Sequence, residues 1–534
     1  MGGVNGAHAI LATLAQGGVE VCFTNPGTSE MHLVAELDSV PGMRGVLCLF
    51  EGGATGAADG YGRMAGTPAS TLLHLGPGLG NGLANLHNAR RAGTPVVNLV
   101  GDHATYHKAL DAPLESDIDA IAGAVSQWVR RTEDVRDAGP DAAAAVAAAG
   151  TSAHADGGVA TLVLPADICW SEGAAAAAPV PPAPAPVPDA DVAEVADLLR
   201  HGGEHAVLFI GGAVMRRPGL EAVSRIALAT GARVLAENSP ARQERGAGIP
   251  GTERIAFLGE KGAAQLAGAR HLVLAGAQPP VTFFAYPGRP SSLVPEGCTV
   301  VDLGGTAAAL QHLADLVAPD VRPTPAPLAR PGMPSGELTA QKAAAVVGAL
   351  LPEGAIVSDE AITSGWWLPS ATAGCPPHDW LTVTGGAIGQ GIPLAVGAAI
   401  ACPDRPVINL QADGSAMYTL QALWTQAREG LDITTIVFNN ASYAILGMEY
   451  DRLGTAPGNG GSKALFDLAG LDFVALANGL DVPATRATTA EELADQLRKA
   501  IAEPGPHLIE AVVPPARSFS HPAAAGVPTK GSQA

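Results

Sequence analysis

Short β-branched runs alternate along this chain with alanine- and leucine-rich stretches of helical spacing. The runs include "TPVVNLV" (94–100), "HAVLFIGG" (205–212), "HLVLAGA" (271–277), "RPVINL" (405–410) and "ITTIVF" (433–438). Strands separated by helices pair in parallel, because a parallel pair needs a long crossover. The alternation therefore predicts an α/β protein built on parallel sheets. At 534 residues the chain is too long for one core. Two Pro/Ala-rich segments, 172–191 and 318–337, suit neither helix interiors nor central strands and read as linkers. They divide the chain into 1–171, 192–317 and 338–517, predicting three parallel-sheet α/β domains.

The first and third parts look alike. "TPVVNLVGD" (94–102) and "RPVINLQAD" (405–413) share Pro, Val, Asn, Leu and Asp in register, and "GLGNGLANLHNARRAG" parallels "GAIGQGIPLAVGAAIA" upstream. Two related domains flanking a different middle one are expected. A formal charge of −20 argues against a nucleic-acid partner, whose phosphates need Lys and Arg. Six cysteines without C-x-x-C spacing predict a reduced protein with neither zinc nor disulfides. The N-terminus lacks a signal peptide's basic flank, and no charge-free run reaches spanning length, so a soluble cytoplasmic protein with no membrane partner is expected.

Chemistry gathers at "QADGSAMYT" (411–419), directly after a strand-like run. Open α/β sheets bind ligands at the carboxyl ends of their strands. The following stretch reads as an amphipathic helix with apolar Met417, Leu420, Leu423 and Trp424, and its N-terminal N–H groups suit phosphate. Asp413 beside them suits a hard cation. The next strand ends in Asn439–Asn440, whose amides could complete its shell.

These motifs resemble the thiamine-diphosphate (ThDP) enzymes of the acetolactate synthase, benzoylformate decarboxylase and pyruvate decarboxylase superfamily, whose signature is G-D-G followed one βαβ step later by N-N. The resemblance implies a pyrimidine-binding first domain, a Rossmann-like middle domain and a diphosphate-binding third. It implies that Asp413, the Asn440 side chain and the Ser442 carbonyl bind Mg²⁺, with Gly414, Ser415, Ala416 and Tyr443 around the diphosphate. Ala412 replaces the first glycine of the signature, a costly change only if that residue needs positive φ.

"FEGGATGAADGYGR" (50–63) resembles the segment carrying the family's glutamate. Glu51 matches it, with the implied role of promoting the imino tautomer of the cofactor's aminopyrimidine. In "TGGAIGQGIP" (384–393) the resemblance assigns Ile388 to wedging the cofactor into a V shape, with Gly386 allowing close approach. It also implies a homodimer or homotetramer with sites composed across subunits.

"NPGTSE" (25–30) and "LLHLGPGLGNG" (72–82) resemble benzoylformate decarboxylase. His74 matches its proton-handling histidine and Thr28 its substrate-binding serine. His103 and His107 lie in a loop similar to one carrying histidines in pyruvate decarboxylases. In "PPVTFFAYPG" Ala285 is aligned with a second decarboxylase histidine, so the enamine would wait for another carbonyl. The same region lacks the G-x-R-F-D-D-R run of FAD-containing acetolactate synthases, so FAD is not expected, although "LFIGGAV" (208–214) keeps a nucleotide-fold look. The resulting expectation is ThDP- and Mg²⁺-dependent decarboxylation of a 2-oxo acid with carboligation. The alternatives are simple decarboxylation and a non-catalytic relative.

Overall fold

All five strand-like runs form strands: Val96–Asp102, Ala206–Ile210, His271–Ala275, Val407–Ala412 and Ile433–Asn439. The computed structural model of the chain describes residues 4–150, 157–180, 189–453 and 461–516. The first sheet is wholly parallel, in the order Arg44–Leu47, Val21–Thr24, Ala69–Leu73, Val96–Asp102, Val159–Pro165, Trp128–Arg131. The third orders six parallel strands as His378–Thr382, Ile356–Glu360, Val407–Ala412, Ile433–Asn439, His507–Val512, Ala484–Ala487. Arg242–Arg245, from the middle part of the chain, adds an antiparallel edge to it. There Arg242 Nε donates to Asp379 Oδ1 at 2.7 Å. Between these lies a four-stranded parallel sheet of Arg233–Ala236, Ala206–Ile210, His271–Ala275 and Thr299–Asp302.

Numbered along the chain, the six parallel strands of the first and third sheets both run second, first, third, fourth, sixth, fifth. Two related domains are therefore present, but the matched sequence segments are not equivalent. Val96–Asp102 is the fourth strand of its sheet and Val407–Ala412 the third. The shared letters reflect what any buried central strand ending at a polar loop requires. The counterpart of Val407–Ala412 is Ala69–Leu73, which leads into His74. The counterpart of helix Gly391–Ala401 is Glu51–Ala65. Those two helices pack on each other with backbones in contact: a Cβ on Gly60 would lie 2.0 Å from Leu394 O. One on Gly397 would lie 1.8 Å from Ala57 O, so only glycine permits this crossing.

The helix expected after Asp413 is broken. A short turn, Asp413–Ala416, precedes Ala422–Glu429, and Met417, expected on an apolar face, is exposed. The break lets Thr419 Oγ1 donate to Gly389 O (2.9 Å), tying the segment to the turn that bears Ile388.

In the middle sheet the loops after its first and third strands meet. Gly211 N donates to Ala275 O (3.0 Å) and Gly212 N to Glu237 Oε1 (2.9 Å). Burial pushes the Glu237 carboxyl up from 4.5 to about 7, against the bond from Gly212. An acid raised in the folded state favours folding below its unfolded value, and that contribution is lost as pH rises towards the folded one. Glu237→Gln keeps an acceptor for Gly212 and removes the penalty. Its melting temperature should match the wild type near pH 4 and exceed it at pH 8, the gap corresponding to at most about 3 kcal/mol. Parallel thermal scans at the two pH values check this.

Candidate active site

The order second-first-third parts the loops after the first and third strands of each outer sheet, and such a switch point is where an open sheet binds ligands. In the first domain it joins "NPGTSE" to His74. Residues Thr28–Glu30 form a 3-10 turn that buries Glu30 to 1% exposure. Glu30 Oε2 accepts from Gly27 N (2.9 Å) and lies 2.8 Å from His74 Nδ1. Ser29 Oγ donates to Glu30 Oε1 (2.7 Å) and lies 3.2 Å from the same ring nitrogen. A carboxylate only accepts, so Nδ1 carries the hydrogen and Nε2 is left to act as acceptor. Leu75, buried, takes φ +48° immediately after the histidine. A non-glycine residue pays about 1–3 kcal/mol for such a conformation, and the cost is met where it aims a side chain.

Glu51 opens helix Glu51–Ala65 at the end of the neighbouring loop, with Asn81 Nδ2 donating to its Oε2 at 3.0 Å. A Cβ on Gly78 would lie 3.2 Å from His74 Cβ and 3.3 Å from Glu51 Oε1, so His74 and Glu51 flank one glycine. Thr28 is exposed beside them. His103 does not join this group. Its Nε2 lies 3.1 Å from Pro113 O within its own loop, and its ring stands 5.3 Å from His107.

Gly27 packs so closely on the imidazole that a Cβ there would lie 2.0 Å from Nδ1. Gly27→Ala should push His74 off Glu30; with His74 in the expected role of proton carrier, turnover should fall by about 10²-fold. ThDP binding should change less than twofold. Paired kcat measurements and thermal shifts check the split.

In the third domain Asp413 is 2% exposed. Its Oδ1 accepts from Gly414 N (2.8 Å) and Oδ2 from Asn440 N (3.0 Å). Burial is the main influence on its carboxyl and raises it above the usual range. Among the described residues no basic side chain lies within 4 Å of it. Asp102 ends a strand with a similar local sequence, yet it is held by Arg131 and by Lys108 Nζ at 3.3 Å. A buried carboxylate without a counter-charge is expensive, and a bound cation would supply one. The neighbouring oxygens, Asn440 Oδ1 and the Ser442 carbonyl, are hard ligands of the kind Mg²⁺ takes. These residues fit the group. Tyr443 covers Gly414, where a Cβ would lie 2.3 Å from the ring. Ser415 Oγ donates to Ala412 O (3.2 Å), and Ala416 is fully buried. Ala412 itself has φ −79° and ψ 149°, extended backbone that alanine adopts freely, so its departure from the glycine signature is mild.

Ile388 is half-buried in a turn whose Gly386 has φ +76°. Asn85 Nδ2 donates to both Gly52 O (2.7 Å) and Gly389 O (3.3 Å), bringing this turn to the start of the Glu51 helix. Over Gly386 sits Phe283, whose Cζ lies 2.7 Å from where a Cβ would be. Ala285, the residue aligned with the decarboxylase histidine, is exposed, and the atoms nearest a Cβ on Gly386 belong to Phe283. Phe283 stacks with Phe257 and Phe284 at 5.1 and 4.8 Å.

Glu30, Asn81 and Phe283 are the neighbours that sequence reasoning missed. Glu30 lies two residues after Thr28 in the same short segment. A glutamate in an otherwise small, turn-forming loop at a strand end was the available signal.

Two topologically repeated α/β domains, one presenting a glutamate and a histidine and the other a buried acid without a counter-charge, define a cofactor-binding enzyme class. The thiamine pyrophosphate enzyme N-terminal TPP binding domain matches residues 4–122 and the C-terminal TPP binding domain residues 363–511. The chain belongs to the thiamine pyrophosphate (ThDP) enzymes. It is 62% identical over 518 residues to the Mycobacterium tuberculosis protein named "Putative acetolactate synthase large subunit IlvX", covering 96% of this chain and 99% of that one. It is 28% identical over 532 residues to benzoylformate decarboxylase of Pseudomonas aeruginosa, covering 93% and 96%. The ThDP-dependent 4-hydroxybenzoylformate decarboxylase of Rhodococcus jostii RHA1 shares the fold, with a TM-score of 0.82, 24% identity and coverage of 96% and 99%.

Proposed function

We propose that the protein decarboxylates a 2-oxo acid, with ThDP and Mg²⁺, and joins the remaining fragment to a second carbonyl, as an acetolactate synthase does. The observation that carries the ligating outcome is Phe283. The side chain over the cofactor turn has no proton to give, and two further aromatic rings surround it. When bound, ThDP supplies the thiazolium carbon that adds to the carbonyl and the ring that accepts the electron pair left behind as CO₂ departs.

In this reading Asp413, Asn440 and Ser442 hold the metal, while Gly414, Ser415, Ala416 and Tyr443 cradle the diphosphate. Ile388, beside Gly386, shapes the cofactor. Glu51 holds a proton at the aminopyrimidine. Thr28 binds the substrate carboxylate, and His74 moves a proton beside it through Nε2. His103 has no part, since its ring faces its own loop. FAD is not part of this reading either, in keeping with a middle sheet in which Glu237 takes the Gly212 amide and Gly211 is bonded across to Ala275.

A homodimer or homotetramer with shared sites is part of the same reading. It is supported by the exposed Tyr418 and Leu446, apolar side chains beside the cofactor turns. A cytoplasmic setting is supported by the free thiols of all six cysteines. Among the described residues no helix is long and apolar enough to cross a membrane.

Simple decarboxylation is the second reading, favoured by the Glu30–His74 pair, which leaves Nε2 free to take up a proton and pass it to the fragment. Incubation with ThDP, Mg²⁺ and a panel of 2-oxo acids, with and without aldehydes, separates the two by mass spectrometry. Hydroxyketone or acetolactate-type products are expected. Aldehyde alone would establish the second reading. Neither product, in protein that shows a ThDP-induced thermal shift, would mean a non-catalytic relative.

A further inference from the structure

At the switch point of the third sheet, Glu360 ends the strand Ile356–Glu360 and is 1% exposed. It occupies the junction that corresponds to the Glu30–His74 contact of the first domain. Its Oε1 accepts from Gly389 N (2.7 Å) and Gln390 N (3.3 Å). Its Oε2 accepts from Gly391 N (2.6 Å) and Gln411 Nε2 (2.8 Å). Among the described residues no basic side chain lies within 4 Å of it. Such a carboxylate is expensive to bury, and burial does raise its carboxyl, with the four N–H donors acting the other way. Gly391 begins helix Gly391–Ala401, whose first turn also favours a negative charge.

The groups Glu360 gathers are those of the cofactor-binding turns. Three of the four are consecutive backbone amides, and Ile388 is the residue before them. The fourth, Gln411, also donates from Nε2 to Ser415 Oγ at 2.7 Å. Gln390 turns its own Nε2 to Asp59 Oδ2, across the domain boundary. Asp59 is buried, held by Arg63 at 2.8 and 2.7 Å and by Thr94 Oγ1 at 2.6 Å, two turns along the helix that Glu51 begins. An unbroken polar chain thus runs from the Glu51 helix through the Ile388 turn to Ser415.

We propose that Glu360 is a positioning residue for the cofactor: through the amides of Gly389, Gln390 and Gly391 it sets Ile388, through Gln411 it sets Ser415, and through Gln390 and Asp59 it locks both to the Glu51 helix. The inference rests on the chain being a ThDP enzyme and not on which product it makes.

Glu360→Gln is the direct test. A carboxylate accepts at both oxygens, whereas an amide has one acceptor and one donor, so two of the four donors lose their partner and face an NH₂ group. Apparent ThDP affinity is read by thermal shift in excess Mg²⁺, without turnover, so failure here is separable from a wrong assignment of the reaction. The variant should bind ThDP at least tenfold more weakly than wild type. Amide hydrogen exchange at 389–391 should speed up in the apo protein. Leu493→Ala, in a buried position on the helix Ala490–Ala502 of the same domain, is the control for general destabilisation. It should lower the melting temperature and leave ThDP affinity within twofold. Gln411→Met and Gln390→Met each cut one branch, keep Glu360, and should weaken ThDP binding by about threefold; they decide the matter if Glu360→Gln does not fold. ThDP affinity within twofold of wild type in Glu360→Gln, or in both methionine variants, would overturn the proposal.

Discussion

Glu51→Gln is expected to lower turnover by about 10²–10⁴-fold, the range spanned by a positioned acid–base group, while ThDP binding changes little. Glutamine has the same shape, and its amide oxygen can still accept the 3.0 Å bond from Asn81. The helix Glu51–Ala65 is anchored elsewhere, by its crossing with Gly391–Ala401 and by the Asp59–Arg63 pair. In the proposed reading, what is lost is only the capacity to hold and release a proton at the cofactor ring. Hydrogen–deuterium exchange at the thiazolium C2 of bound ThDP, followed by NMR, measures that capacity directly. Exchange at the wild-type rate would remove Glu51 from the role.

The second large effect is expected from Asp413→Asn, with opposite signs in the apo and loaded protein. Without metal, Asp413 is a buried carboxylate supported only by backbone N–H groups. Its raised carboxyl means that the apo protein loses this contribution to stability as pH rises beyond the usual carboxylate range. Asparagine removes that slope, so the apo variant should melt at or above the wild-type temperature at pH 8. Loaded with Mg²⁺ and ThDP, the wild type gains stability by mass action, and the variant should lose most of that gain. Asp102→Asn is the contrasting case. It leaves Arg131 and Lys108 facing a neutral group, with only Asp119 and Glu115 among the described residues still pairing them, so it should lower stability equally with and without cofactor. Melting temperatures at pH 8 with and without Mg²⁺ and ThDP test both. A destabilised apo Asp413→Asn with an intact ligand shift would show that the acid serves the fold and not the metal.

Much of this site could be read along the chain. "QADGS" followed by "FNNAS" placed an acid and an amide at two strand ends, and both Asp413 and Asn440 stand there. A short pattern does not carry long-range information. The "PVxNL" match paired a fourth strand with a third, because a buried central strand has the same local requirements wherever it lies in the sheet. The continuous apolar spacing after Asp413 predicts a helix through residues 417–421. Thr419 instead leaves the helix to bond Gly389, 30 positions earlier. The loop at 281–286 presents Phe283 to Gly386, and not Ala285, because the path of an irregular loop has no period to read.

The sequence by itself determined the strands, the parallel α/β class and the acid-bearing turns. Hydrophobic periodicity and turn chemistry act over a few residues, so a few residues suffice to read them. Only the tertiary structure decided which of those turns would meet. Glu30 reaches His74 across 44 positions, and Glu360 reaches Gln411 across 51, because strand order sets first and third strands side by side at a switch point. That order is chosen by the burial of whole sheets between helices, a property of the assembled core that no local stretch contains.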